Sequence, residues 1–208
     1  MTDQDVNPQV RKKNQNMIML IIGMPIILIL LSYTLMHMVK TGKLDLVGML
    51  GTQTVGQLMD PVQPIADLSL TRTDGQPFVY DDEKPMFSLL VLDSPSCGKR
   101  CADNLHLSRQ MHIALGKLQG KLRRYHVYLD GTLSTSQLES LKKDYPHLLN
   151  LYGSSANVEK VIANQSLELD NLAYLLVDHR GWVMMAYPET IGEKHMMSDL
   201  KHLFKYAQ

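Results

Sequence analysis

The sequence predicts an α/β domain, with a central mixed sheet flanked by helices, preceded by one transmembrane helix. Three observations lead there. Met17–Val39 is a 23-residue apolar run without a charge. From residue 61 onward, strand-like and helix-like segments alternate. One of them, FSLLVLD at Phe87–Asp93, is continuously apolar, as a strand buried on both faces is. The 208 residues, 45% hydrophobic and 20% charged, suffice for one ordinary domain and an added segment. Twenty-one basic residues balance twenty-one acidic ones, so no basic excess points to a nucleic-acid partner. Two cysteines exclude a disulfide-dense scaffold and a four-cysteine zinc site.

In chain order, residues 1–16 are polar and short, and are expected to be a disordered cytoplasmic tail. Residues 17–39 reach the length of about 20 that a spanning helix needs, and Gly23 and Pro25 are tolerated inside a bilayer helix. A buried core helix of that apolar length is uncommon in so small a domain. A cleaved signal peptide would have a shorter apolar core and a small-residue cleavage site, and none precedes Lys40. The segment therefore reads as an uncleaved signal anchor. Arg11, Lys12 and Lys13 precede it, and Lys40 and Lys43 follow it. Three against two puts the N-terminus in the cytoplasm and residues 40–208 across the membrane. Residues 40–60, with four glycines, read as a juxtamembrane linker, and the folded domain is expected over 61–208.

Within that domain, Ile65–Leu70 reads as a short strand entering the turn at Thr73-Asp74-Gly75. Phe87–Asp93 is the central strand. Ala102–Leu122 has helical spacing of its leucines and Met111. Tyr125–Asp130 is a second strand, ended by Gly131. Ser136–Asp144 is a helix stopped before Pro146, and Val158–Gln165 is another. Ala173–Asp178 and Trp182–Tyr187 flank His179-Arg180-Gly181 as a hairpin. Glu193–Lys205 is amphipathic, with Met196, Met197, Leu200, Leu203 and Phe204 on one side. A strand–helix–strand unit followed by a hairpin and a final helix is the thioredoxin arrangement, its first two strands parallel and its hairpin strands antiparallel.

Cys97 and Cys101 stand in SPSCGKRC, between the central strand and the long helix. A helix N-terminus favours a thiolate, and Lys99 and Arg100 add positive charge. Both cysteines can lie on one helical turn, or Cys97 can lie in the loop before it. Either arrangement can close a disulfide or clasp one soft metal ion. A purely structural disulfide over so short a loop stabilises little.

The membrane-anchored strand–Cys-x-x-x-Cys–helix pattern resembles the Sco/SenC proteins, copper-handling assembly factors for cytochrome c oxidase. The resemblance covers about residues 61–206. It is carried by Cys97 and Cys101 after FSLLVLDSPS, the stretch around Asp130, and the hairpin AYLLVDHRGWVMM. The run CADNLHLSRQMHIALGKLQGKLRR is similar to short proteobacterial membrane proteins associated with oxidase assembly. The resemblance implies that Cys97 and Cys101 carry thiol–disulfide exchange or bind Cu(I). It implies as partner a cytochrome c oxidase subunit or another copper or thiol protein at the inner membrane.

One departure matters. Sco proteins add a histidine shortly before the first hairpin strand. That position falls near Asp170 and Asn171, in LELDNLAY, where there is no histidine. His179, in the hairpin turn, is expected at the far end of its strand. His106, five residues past Cys101, is expected to leave the Cys101 face of the helix. Two thiolates still suit Cu(I). The departure moves weight towards thiol–disulfide exchange, so that an enzymatic role would be that of a thiol–disulfide oxidoreductase.

Thioredoxins themselves have two residues between the cysteines and a proline before the hairpin, and this chain has neither feature. A non-catalytic interaction module holding a membrane complex, or a general periplasmic disulfide reductase, are the other readings. Asp130, ending its strand, is expected near the cysteines, either as a proton acceptor or simply closing an Asp-Gly turn; Asp93 and Ser94 are read the same way. The fourteen methionines read as packing, and His112, His126, His147, His195 and His202 show no metal-ligand spacing.

Overall fold

The computed structural model describes residues 8–40, 56–80, 86–165 and 167–206. They fall into two compact units, residues 1–52 and 53–208. In the first unit, helix α1 (Pro8–Lys40) contains the candidate membrane span Met17–Met38, whose mean hydropathy is 2.5 and whose residues are not buried. The helix begins at Pro8, inside the segment expected to be a disordered tail, and Pro25 lies within it. Proline is well suited to a first helical position, where its missing N–H is not needed. Most of the expected linker, residues 41–55, lies outside the described residues.

The second unit is built on a seven-stranded sheet in the order β1-β7-β6-β3-β4-β5-β2. The strands are β1 (Gln57–Pro64), β2 (Thr71–Arg72), β3 (Phe87–Asp93), β4 (Leu122–Leu129), β5 (Leu148–Gly153), β6 (Leu172–Val177) and β7 (Trp182–Pro188). The helices are α2 (Lys99–Ala114), α3 (Thr135–Asp144), α4 (Ser155–Ile162) and α5 (Glu193–Tyr206). β3, β4 and β5 are parallel, whereas β6, β7 and β1 continue the sheet antiparallel. This is the thioredoxin-like architecture the element order implied.

Leu89, Leu90 and Val91 of β3 are wholly buried, because both faces of the sheet are covered. Leu90 and Leu92 pack with Tyr125, Val127, Val158 and Ile162 on one face. Leu89 and Val91 pack with Leu105, Met111, Met196, Leu200 and Phe204 on the other. Each such side chain stabilises the fold by about 1.5–3 kcal/mol relative to exposure. The methionine reading holds in this unit, since Met111, Met185 and Met196 are core residues.

Several elements differ from the expectation. The sheet starts at Gln57, before the Pro61 boundary. β1 carries two prolines, which suits an edge strand with a register shift between Leu58 and Gln63. Ile65–Leu70 is not a strand. Ile65–Leu68 is a 3₁₀ turn that brings both its buried ends, three residues apart, onto the core.

The long helix stops at Ala114 rather than near Leu122. Gly116 adopts φ +56°, a left-handed conformation suited to chain reversal after a helix, and a 3₁₀ segment covers Gly116–Lys121. α4 starts at Ser155, earlier than expected. β5 lies in a stretch, LLNLYG, to which no element had been assigned.

At the N-terminal edge of the unit, the buried Asp199 of α5 accepts bonds from the Gly56 amide (2.9 Å) and the Tyr187 hydroxyl (3.3 Å), fastening the entry of β1 to the last helix.

Candidate functional site

β3 delivers Asp93 to the C-terminal end of the sheet, and the chain turns through Pro95–Gly98 into α2. Cys97 lies in that turn, its amide donating to the Ser94 carbonyl (3.1 Å), and Cys101 lies in the first turn of the helix. The loop-then-helix alternative is therefore the one adopted. Between the cysteines, Gly98 takes φ +59° and ψ −129°, a conformation that side-chain-bearing residues avoid. It lets the backbone fold back so that the two Cα atoms sit 5.6 Å apart and the sulfurs join in a disulfide. Cys97 is half-buried, whereas Cys101 is buried. The Cys101 Sγ lies 3.6 Å from the Leu92 carbonyl, an acceptor for its S–H in the reduced state.

The disulfide opens onto a groove walled by Asp93–Ser96, Arg100, Asp130, Leu169, Asp170 and Glu189. Arg100 Nε pairs with Glu189 Oε1 at 2.9 Å, and the Glu189 amide donates to the Asn171 carbonyl at 2.9 Å. These contacts draw α2 and the 169–171 turn together across the cysteines. Leu169–Asn171 forms a 3₁₀ turn just before β6. Asp170, in the stretch where the Sco resemblance implies a histidine, lines the cysteine groove.

The other sequence candidates separate cleanly. Asp130, at φ +53°, accepts the Ser155 amide at 3.0 Å and caps α4. The Ser155 side-chain and backbone hydrogen bonds hold its carboxyl below the ordinary aspartate range. It is a turn and capping residue at the groove wall. His106 is exposed and bonds Gln110 at 2.8 Å, away from the sulfurs. The ring of His179 packs against Phe87, at the start of β3 and so the length of that strand from Asp93.

Sequence reasoning missed His126. It lies on β4, in register with Val91 of β3 and Asn150 of β5. Its ring is buried, with Nε2 2.9 Å from Asp93 Oδ2 and Nδ1 2.9 Å from Asn150 Oδ1. A histidine and an aspartate 33 residues apart show no spacing signal; only the parallel register brings them together. A histidine alternating with buried tyrosine and valine in YHVYLD was the available sign. Asp93, Cys97 and Cys101 offer a carboxylate oxygen and two sulfurs that all lie within 4.8 Å of one another, the one such set of three among the described residues.

Chemically, the cysteine pair can cycle between disulfide and dithiol. Reduced, it offers two soft thiolate donors, which suit Cu(I), and among the described residues no imidazole joins the Asp93, Cys97 and Cys101 set. A family profile described as "Transmembrane-like, thioredoxin-like, C-terminal domain" matches residues 87–207. No curated protein matches the chain. Yeast Sco1 with copper bound is similar in structure, at 19% identity and a TM-score of 0.51, with 76% of this chain and 97% of that one covered. A second yeast Sco1 structure gives 20% identity, 67% and 93% coverage and a TM-score of 0.50. Copper-bound ScoI of Arabidopsis thaliana gives 18%, 74% and 100%, and 0.48. At these identities the likeness is one of fold. With more than half of its length matched by the profile, from β3 through α5, the chain belongs to the transmembrane-like, thioredoxin-like C-terminal domain family.

Proposed function

We propose that the protein is a membrane-anchored thiol–disulfide exchange factor that serves assembly of cytochrome c oxidase. The supporting observation is the asymmetry of the pair: a half-buried Cys97 at the lip of a groove, disulfide-bonded to a buried Cys101 in the first turn of α2. A partner thiolate attacks Cys97 Sγ, the Cys97–Cys101 bond breaks, and Cys101 leaves as a thiolate that takes up a proton. The partner's second thiolate then attacks its own sulfur in the mixed disulfide and releases Cys97 as a thiolate. The partner dithiol ends oxidised and this pair reduced. The reverse sequence reduces a partner disulfide, and the relative potentials of the two pairs set the direction. Thiolate character at Cys97 is favoured by the α2 N-terminus and by Lys99.

The oxidase assignment rests on the Sco/SenC resemblance of the cysteine segment and hairpin. The client is an oxidase subunit or another copper or thiol protein. The charge balance around α1 supports an N-terminus in the cytoplasm and residues 40–208 in the periplasm of a bacterial inner membrane. Cu(I) transfer is the second reading, supported by the soft sulfur pair and by the copper-bound Sco1 of like fold.

The deciding experiment uses the full chain in detergent micelles. Reduced protein is mixed with a disulfide-bonded peptide, and Cys101→Ser is run beside it. Exchange by the native protein, and a mixed disulfide trapped on Cys97 of the variant, are the expected results. In cells, a Cys97→Ser, Cys101→Ser double variant that still assembles active oxidase would sink the reading.

A further inference from the structure

We propose that the reduced form is a divalent-metal site of the zinc type, in which Asp93 joins Cys97 and Cys101 as third donor. The inference rests on the reading above only in requiring that the disulfide be reducible. A carboxylate oxygen of Asp93 already lies within 4.8 Å of both sulfurs while they are joined. Reduction with a phosphine or a dithiol adds two electrons and two protons, and the sulfurs then separate. A cation entering between them displaces the two thiol protons and meets two thiolates and a carboxylate.

Three negative charges and a hard oxygen favour a divalent ion of borderline softness, which accepts Cys and Asp ligands together, over Cu(I), which is satisfied by two thiolates. The surroundings are arranged for this. His126 bonds Asp93 Oδ2 at 2.9 Å and is itself held by Asn150 at 2.9 Å, so the carboxylate is oriented by a buried outer partner and keeps its other oxygen available. Arg100, the cation nearest in sequence to Cys101, is turned to Glu189 at 2.9 Å. The groove opens beside Asp93 and both cysteines, which would admit a water as fourth ligand. Exchange with a disulfide, which takes the two electrons and leaves as two thiols, joins the sulfurs again and releases the ion, making occupancy a readout of redox state.

The test is anaerobic titration of the phosphine-reduced full chain in micelles with Co(II), a spectroscopic substitute for Zn(II). One equivalent is expected to bring up sulfur-to-cobalt charge transfer, absent from the oxidised protein and from Cys97→Ser. Asp93→Asn, which removes the ligand itself, is expected to weaken binding by at least about 100-fold, and His126→Gln, which removes only its outer partner, by about tenfold. Asp93→Glu, which keeps a carboxylate, should retain most of it.

A wild-type measurement stands beside the variants, in case these fail to fold. In the infrared difference spectrum on adding Zn(II), a carboxylate band should shift as the S–H stretch disappears. The proposal is overturned if Asp93→Asn binds Co(II) as tightly as wild type, if no carboxylate band moves, or if the reduced protein takes no Co(II). Exchange with glutathione disulfide, measured in a chelator, reports on the exchange reading separately. Metal binding without exchange leaves this inference standing and removes that reading.

Discussion

The two ends of the sheet differ in what their polar clusters leave at the surface. At the N-terminal end of β3, the Tyr80 hydroxyl donates to the carbonyl of Met86 (2.9 Å) or of Asp178 (2.8 Å) and shares a hydrogen with Ser88 (3.1 Å). Asp178 Oδ1 accepts the amides of Arg180 and Trp182, both at 2.8 Å, closing the hairpin. These hydroxyl, carbonyl and carboxylate groups are bonded within the chain itself. At the C-terminal end, Asp93, Asp130 and Arg100 are also bonded within the fold, but the Cys97–Cys101 bond itself opens onto the groove that they line. The lesson is that a polar cluster whose atoms are all used internally holds the fold. A cluster that leaves a reactive atom at a groove is available for chemistry.

The contrast is breakable, beginning with the largest effect. Cys97→Ser is expected to bring exchange to the uncatalysed background while costing no more than about 2 kcal/mol by urea unfolding, the loop-closure value for so short a bridge. A large loss of stability would make the disulfide a structural staple instead.

Asp170→His places an imidazole at the cysteine groove, near where the Sco resemblance implies one. Cu(I) affinity, measured by chelator competition on the reduced protein, is expected to rise by more than about tenfold, or ~1.4 kcal/mol. At the other end, Tyr80→Phe strands several partners at once. Its expected cost is about 1–3 kcal/mol by urea unfolding, with an unchanged rate of exchange. Gly98→Ala forces a side chain into a sparsely populated backbone region, and an effect of about 1–3 kcal/mol is expected. In contrast to Tyr80→Phe, that effect should appear in the redox potential of the pair, because the strain lies inside the disulfide loop.

The smallest effect is in pH. Burial pushes the hydroxyls of Tyr80, Tyr174 and Tyr187 above the ordinary tyrosine value. The folded state therefore keeps these protons after the unfolded chain has lost them. Their contribution is fully present below about pH 10 and is lost as pH rises through the folded-state values. The urea midpoint should fall between about pH 9 and about pH 11, and Tyr80→Phe should flatten part of that fall.

What was legible from sequence was local. The charge-free run at Met17–Val39, the central strand FSLLVLD, the hairpin around His179-Arg180-Gly181 and the amphipathic last helix each carry their own periodicity or length, and each is found in the structure. So does the placement of Cys97 and Cys101 between strand and helix, since it depends only on neighbours in the chain. The edge strand β1 was hidden because its prolines argue against a strand unless one edge is free. β5 was hidden because the mixed burial of LLNLYG has no single period.

The sequence by itself thus determined the α/β class, the candidate membrane span and the cysteine pair, because hydrophobic periodicity and covalent proximity are written in adjacent residues. Only the tertiary structure decided what stands around the pair. Parallel pairing of β3, β4 and β5 sets Val91, His126 and Asn150 side by side, and from that register come the histidine behind Asp93 and the carboxylate beside the sulfurs. Contacts between strands depend on register, and register is set by the packing of the whole sheet rather than by any segment alone.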